Sequence, residues 1–293
     1  MRVLRAFFLV IFTVVLLLDL VVVQVGVGVE LTLLSPGFVL ATMDRTDFYD
    51  AARDVALAEL AAAPGSLPKA QAQILQATLA EAITPDFLRA EAQVIVPQLY
   101  ALVTAPGPSP QLVLDLTALR DRLAAALEKV GQQAGMTAGQ LSAARAGLLS
   151  NLPERLDVLK AGKVDPASLA AAAAAYRDFR LAVAGTAGVA VVLGLVVALV
   201  AGRRAWGAWL GWPLLVSGAV VAAGATGGRS VVAGMLANPH VLGGTGDPAL
   251  HAMLTGLGFG LVHGVWLTLL LAGVAAVVAG VLVLVVGRRL GRA

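Results

Sequence analysis

Few side chains in this sequence have the types and spacing that chemistry needs. Asp19 stands alone inside the apolar run "AFFLVIFTVVLLLDLVVVQVGVGV" at 6–29. A carboxylate inside a bilayer is costly unless it is paired or protonated. Asp19 is therefore a proton or cation site, a buried hydrogen-bonded structural acid, or a contact for a partner protein. Asp44, Asp47, Asp50 and Asp54 recur at intervals of three, three and four in "DRTDFYDAARD". On one helix they share a side, either as oxygen donors for a divalent cation or as a solvated face interleaved with Arg45 and Arg53. No glycine-containing calcium loop accompanies them. His240, Asp247 and His251 fall in "NPHVLGGTGDPALHAM". A zinc site needs three or four protein ligands in suitable geometry. This loop offers three with a wide first gap, so no metal is expected. "GGTG" lacks the Lys-Ser/Thr that completes a phosphate loop and reads as a turn. The three histidines form no legible serine–histidine–acid set. The absence of cysteine excludes disulfides, thiolate zinc sites and thiol nucleophiles. The expectation is a protein that is not an enzyme and holds no cofactor.

The elements that position these groups are membrane spans. Of 293 residues, 59% are hydrophobic and 13% charged, against roughly half and a quarter in soluble domains. The excess is concentrated in 6–29 and in three later runs, about 181–201, 208–228 and 257–286. Each is long enough to cross a ~30 Å hydrocarbon core. A signal peptide has an apolar region of only about 7–15 residues. The first run therefore reads as an uncleaved anchor, although Gly26 and Gly28 resemble a small-residue cleavage site. Arg2 and Arg5, Arg203 and Arg204, and Arg288, Arg289 and Arg292 flank the spans without an accompanying acid. Four spans put all three groups on one side, which the positive-inside rule makes cytoplasmic. Trp206, Trp209 and Trp212 beside Arg203 and Arg204 read as an interfacial aromatic anchor. The basic balance thus reflects orientation, and no nucleic-acid partner is expected.

Counting along the helices, Thr186 lies at nearly the depth of Asp19, ~20 Å from the cytoplasmic edge. The two are expected to face each other in the bundle. Glu30, Arg180, Arg229 and His263 share the opposite, outer edge to within about one helical turn. They form either an ion-pair cluster, with His263 as a helix-packing side chain, or separate interfacial groups that snorkel. A role in holding anionic lipid or solute is a further reading.

Small residues recur every fourth position in three spans: Gly256, Gly260, Gly264, Thr268, Ala272, Ala276 and Gly280; Ala182, Thr186, Ala190, Gly194, Ala198 and Gly202; and Gly218, Ala222, Thr226 and Ser230. In lipid, close backbone approach supplies association energy that the hydrophobic effect does not. The ladders are read as packing faces.

Residues 36–178 carry twelve basic and fifteen acidic residues, a net charge of −3. Ser66 with Pro68, Thr84 with Pro85 and Asp165 with Pro166 pair an N-cap with an early proline. The apolar periodicity predicts helices at about 45–62, 68–83, 85–104, 117–131, 137–150 and 153–161, with a kink at Pro97. "TAPGPSP" at 104–110 is a loop, and "QLVLDL" at 111–116 alternates as a short strand does. No breaker follows Pro166 before Arg203, so one helix runs from this region into the second span.

The order "SPGFVLATMDRTDFYDAARD", "AITPDFLRAEAQVIVPQLYALVTAP", "LVLDLTALRDRLAAAL" resembles an uncharacterised family of bacterial integral membrane proteins. The resemblance implies one anchor, a helical outer domain and three C-terminal spans, and it assigns no activity and no functional residues. The expected architecture is an all-α membrane protein. It has an N-terminal anchor (1–35), a mainly helical extracytoplasmic domain (36–178) and a three-span region (179–293), with both termini cytoplasmic in a bacterial inner membrane. The expected function is that of an accessory, scaffolding or sensing subunit of a cell-envelope complex, with the bilayer and another membrane or envelope protein, or itself, as partners. The rival is a small transporter or lipid- or solute-binding protein using Asp19 and the outer-edge charges.

Overall fold

The computed structural model describes residues 2–62, 69–104, 112–150, 152–161, 165–202, 205–236 and 248–290. In chain order the elements are α1 (Arg2–Leu31), α2 (Pro36–Arg45), α3 (Phe48–Ala62), α4 (Lys69–Ala82), α5 (Pro85–Thr104), β1 (Val113–Asp115), α6 (Thr117–Gln133) and α7 (Ala138–Ser150). There follow β2 (Arg155–Asp157), α8 (Val158–Ala161), α9 (Pro166–Ala201), α10 (Trp206–Leu236) and α11 (Pro248–Leu290). Helices α1, α9, α10 and α11 are long and apolar enough to cross a membrane. The protein is an all-α membrane protein. The chain divides into two compact units, Met1–Val39 with Ala175–Val241 and Gly258–Ala293, and Leu40–Ala174 with Leu242–Leu257.

In the first unit, α10 and α11 run antiparallel with their backbones in contact at three glycine pairs. A Cβ built on Gly273 would lie 2.6 Å from the Gly218 carbonyl oxygen. One on Gly280 would lie 2.7 Å from the Gly211 oxygen, and one on Gly207 2.6 Å from the Gly287 Cα. Only glycine permits this approach, which replaces side-chain contacts with backbone packing. Gly26 of α1 packs on Val183 and Gly28 on Leu269. Gly202, at φ +77°, ends α9 in the left-handed conformation that favours glycine at helix C-termini.

The seam takes up part of two of the four-residue ladders, since Ala222 of α10 and Ala276 of α11 also lie in it, against Gly273 and Gly218. Gly218 and Gly280 belong to it, and Gly264 packs on the Phe38 ring. A Cβ on Gly256 would meet nothing within 4 Å, and on Gly194 only Leu210 Cδ2 at 3.9 Å. Ala190 is buried, while Ala198 and Gly260 are half-buried. The reason is angular. Four residues turn an α-helix by about 400°, so a four-residue repeat drifts about 40° per step. A seven-residue repeat stays close to one face, and Gly273, Gly280 and Gly287 have that spacing.

In the second unit, Ala82, Leu123 and Ala126 form a buried core, covered by Leu79, Leu119, Leu148 and Leu152. Two of the three expected N-caps form. Thr84 Oγ1 accepts the Phe87 N–H at 3.2 Å, and Asp165 Oδ1 accepts that of Ala167 at 3.0 Å. The third, Ser66 with Pro68, lies outside the described residues, as does 105–110 of the expected loop. Thr137 and Gln140 add a capping box at the start of α7. The Gln140 side chain accepts the Thr137 N–H at 2.9 Å, and Thr137 Oγ1 accepts the Gln140 N–H at 3.4 Å. Helix α9 runs unbroken from Pro166 to Ala201.

Two expectations for this unit fail. The helix expected at 153–161 is instead strand β2 followed by the single turn α8. Pro153 cannot continue α7, and Arg155–Asp157 pairs antiparallel with β1 in the register Val113–Asp157, Leu114–Leu156, Asp115–Arg155. The helix expected at 45–62 breaks at Thr46–Asp47, where Asp47 has φ +50°, a conformation that Asp tolerates better than most residues.

Replacing Gly273 by Ala is expected to destabilise the purified protein by about 1–3 kcal/mol through overpacking, whereas Gly194→Ala leaves the unfolding midpoint unchanged or slightly higher. Equal effects would remove the seam. A second expectation concerns Asp115, which accepts hydrogen bonds from Thr117 that hold its carboxyl below the usual carboxylate range. Its contribution to the start of α6 is therefore present above the ordinary Asp value and lost as pH falls through the lowered one. Amide exchange at Thr117, corrected for intrinsic rates, should speed up in acid, and Asp115→Asn should abolish that dependence.

Candidate functional site

The polar groups of the first unit are the candidate site. Asp19 sits on α1 at the margin between its inward face, marked by buried Leu9 and Leu16, and its exposed face. Its Oδ2 is buried with no hydrogen-bond partner. The expected meeting with Thr186 does not occur. The Thr186 hydroxyl donates to the Ala182 carbonyl of its own helix at 2.8 Å. A hydroxyl one turn from a helical carbonyl satisfies itself locally, which removes the reason to reach across.

The polar link from α1 to α10 lies five residues on. Gln24 Nε2 donates to Ser217 Oγ at 3.0 Å, and Ser217 donates to the Leu214 carbonyl at 3.1 Å. Ser217 is completely buried. Sequence reasoning passes over Gln24 because it is uncharged, yet an amide in an apolar run needs a partner for the same reason a carboxyl does.

The four outer-edge groups separate into two sets. Arg180 Nε pairs with Glu30 Oε1 at 3.0 Å, and its guanidinium lies 6.0 Å from the Tyr176 ring centroid. Arg229 lies 5.0 Å over the Trp266 ring, and Trp266 is 5.7 Å from the His263 ring. Among the described residues no ion pair joins Arg229 to a carboxylate. Trp266 Nε1 is buried without an acceptor. Sequence reasoning misses Tyr176 and Trp266 because an aromatic in an apolar helix gives no sign of which cation it will face.

Beside the second set is a cavity of about 450 Å³ between α1, α10 and α11. Val25, Val221, Ala225 and Leu269 contribute to its apolar wall, and Arg229 and Trp266 line it too. That volume falls in the range of about 300–1,000 Å³ typical of ligand pockets.

The acids of "DRTDFYDAARD" are not one face. Asp44 lies in the last turn of α2 and accepts Arg89 Nε at 2.8 Å, while Arg89 also pairs with Asp86 at 3.0 Å and lies 5.2 Å over the Tyr49 ring. Burial, with help from Asp44, pushes the Tyr49 phenol up. Arg53 is not a solvated partner of these acids. It donates to the Ile83 and Ala80 carbonyls at 3.0 and 3.2 Å, closing the C-terminal end of α4 as cations do. Among the described residues no group of three or more His, Asp or Glu side chains is placed to hold a metal. His240, Asp247 and "GGTG" lie outside the described residues, as do Arg203, Arg204 and Arg292. Of the tryptophans at the start of α10, Trp212 is exposed and Trp206 and Trp209 are half-buried.

The chain matches no known family, no curated protein and no solved structure.

Ser217→Ala is expected to lower stability by about 1–3 kcal/mol, because it leaves the Gln24 amide unpaired. The double variant Gln24→Leu/Ser217→Ala should recover most of that loss. Additive losses in a double-mutant cycle would show that the two side chains are not coupled.

Proposed function

We propose that this protein is a non-catalytic integral membrane subunit that docks onto another cell-envelope protein through α1. The observation that carries the proposal is an exposed apolar stripe on α1 with a half-exposed acid, Asp19, at its margin. Ile11, Val15, Leu18 and Val22 line that stripe, with Asp19 at its margin, four residues after Val15 and three before Val22. Intramembrane acids are costly and face partners or functional cavities. A neighbouring protein's helix packs on the stripe, and a donor that it carries meets the half-exposed side of the Asp19 carboxyl. The arginines that flank the spans without acids support an inner-membrane orientation with cytoplasmic termini and an extracytoplasmic helical domain.

A second reading, binding or transport of a lipid or solute, is favoured by the cavity beside Arg229. It differs in what Asp19 does. As a proton or ion site, Asp19→Asn abolishes an ion-linked activity and leaves every protein contact intact.

The test is gentle extraction, capture of a tagged full-length chain and quantitative mass spectrometry, with wild type beside Asp19→Leu. A stoichiometric partner is expected with wild type and lost with Asp19→Leu. The purified variant should be the more stable by about 1–3 kcal/mol, since it no longer holds an unsatisfied acid. Identical partner recovery from both chains, or a solitary wild-type protein, overturns the docking role.

A further inference from the structure

We propose that the cleft between α1, α10 and α11 binds one anionic glycerophospholipid, with an acyl chain along its apolar wall and the phosphate at Arg229. This site needs the membrane assignment and not docking through α1. Three observations carry it. The cavity of about 450 Å³ is walled by aliphatic side chains, which suits a hydrocarbon chain and no polar solute. Arg229, on the same lining, holds a cation over the Trp266 ring at 5.0 Å and is joined to no carboxylate among the described residues. Trp266 Nε1 is a buried donor without an acceptor.

The arrangement is amphipathic along one helix. Val221, Ala225 and Arg229 follow one another by four residues on α10, so the apolar wall leads to the cation over about 12 Å. A guanidinium favours phosphate, which it can bind through paired N–H donors. The Trp266 indole N–H, a donor without an acceptor on a residue that lines the same cleft, would be matched by a phosphate or ester oxygen. Gly224 and Gly228 line the same cleft, and a Cβ at either would meet nothing within 4 Å. These glycines are not in a helix seam; they leave space.

The charge on the lipid and the space for its chain can be tested separately. The full-length chain in detergent is titrated with phosphatidylglycerol or phosphatidylcholine bearing the same acyl chains, and bound lipid is counted by native mass spectrometry. Wild type should bind phosphatidylglycerol at least tenfold more tightly. Arg229→Gln should reduce that preference to less than threefold while retaining chain binding. Gly228→Leu should displace both lipids, and Gly224→Leu is an independent variant that fills the same space if the first fails to fold. Inorganic phosphate at millimolar concentration should not compete. Equal affinity of wild type for the two lipids, full discrimination by Arg229→Gln, or displacement by phosphate alone overturns the proposal. So does a dimer that Gly228→Leu dissociates, which would put a second copy in the cleft.

Discussion

The contact on which the membrane unit depends is backbone against backbone, where α10 crosses α11 at Gly207–Gly287, Gly211–Gly280 and Gly218–Gly273. Lipid offers no hydrophobic driving force for bringing two helices together, so the attraction comes from dense packing and the many weak contacts it permits. What the seam fixes is larger than itself. Helix α10 carries Ser217 to Gln24 and Arg229 to the Trp266 ring of α11. Helix α11 presents Leu269 to Gly28 of α1 and Gly264 to Phe38. The Arg229–Trp266 contact joins the two helices directly, and the others tie α1 and Phe38 to the pair that the seam holds together.

Several hydroxyls in or next to the spans are satisfied by carbonyls of the adjoining helix. Thr32, Thr186, Thr226 and Ser230 each donate to such a carbonyl and ask nothing of their neighbours. Gln24 cannot do so as readily and reaches across to Ser217, with its amide oxygen still unmatched. The Thr13 hydroxyl, the Asp19 carboxyl and the Trp266 indole also hold an unsatisfied buried atom. Satisfied hydroxyls are compatible with lipid on all sides. The orphans are buried atoms that neither their own helix nor a neighbour in the chain satisfies.

Much of the architecture is legible in the sequence because its signals are local. Hydropathy runs locate four spans, and proline with a preceding oxygen places the starts of α5 and α9. Alternation in "QLVLDL" locates β1. Its partner β2 is not legible, since Arg155–Asp157 is too short to show a period and is defined by pairing with residues some forty positions away. The break at Asp47 is hidden by a periodicity that continues through it. The seam is legible only in part: the ladders include Gly218, Ala222, Ala276 and Gly280, which meet in it, but a four-residue repeat drifts around the helix and passes over Gly273 and Gly287. Glu30 and Arg180 are found from depth alone, because an acid and a base at one level of adjacent helices are easily paired. Arg229 and His263 meet Trp266 instead, and no charge pattern encodes a ring as a partner.

The Gln24–Ser217 hydrogen bond spans 193 positions of the chain, and this sets a delay during synthesis. At ~5–20 residues per second, α1 exists for about 10–40 s before Ser217 has been made. During that time its amide lacks the serine hydroxyl that it meets in the folded chain. The partner that the Gln24 amide has in the folded chain is thus a serine on a helix not yet made when the first helix reaches the membrane.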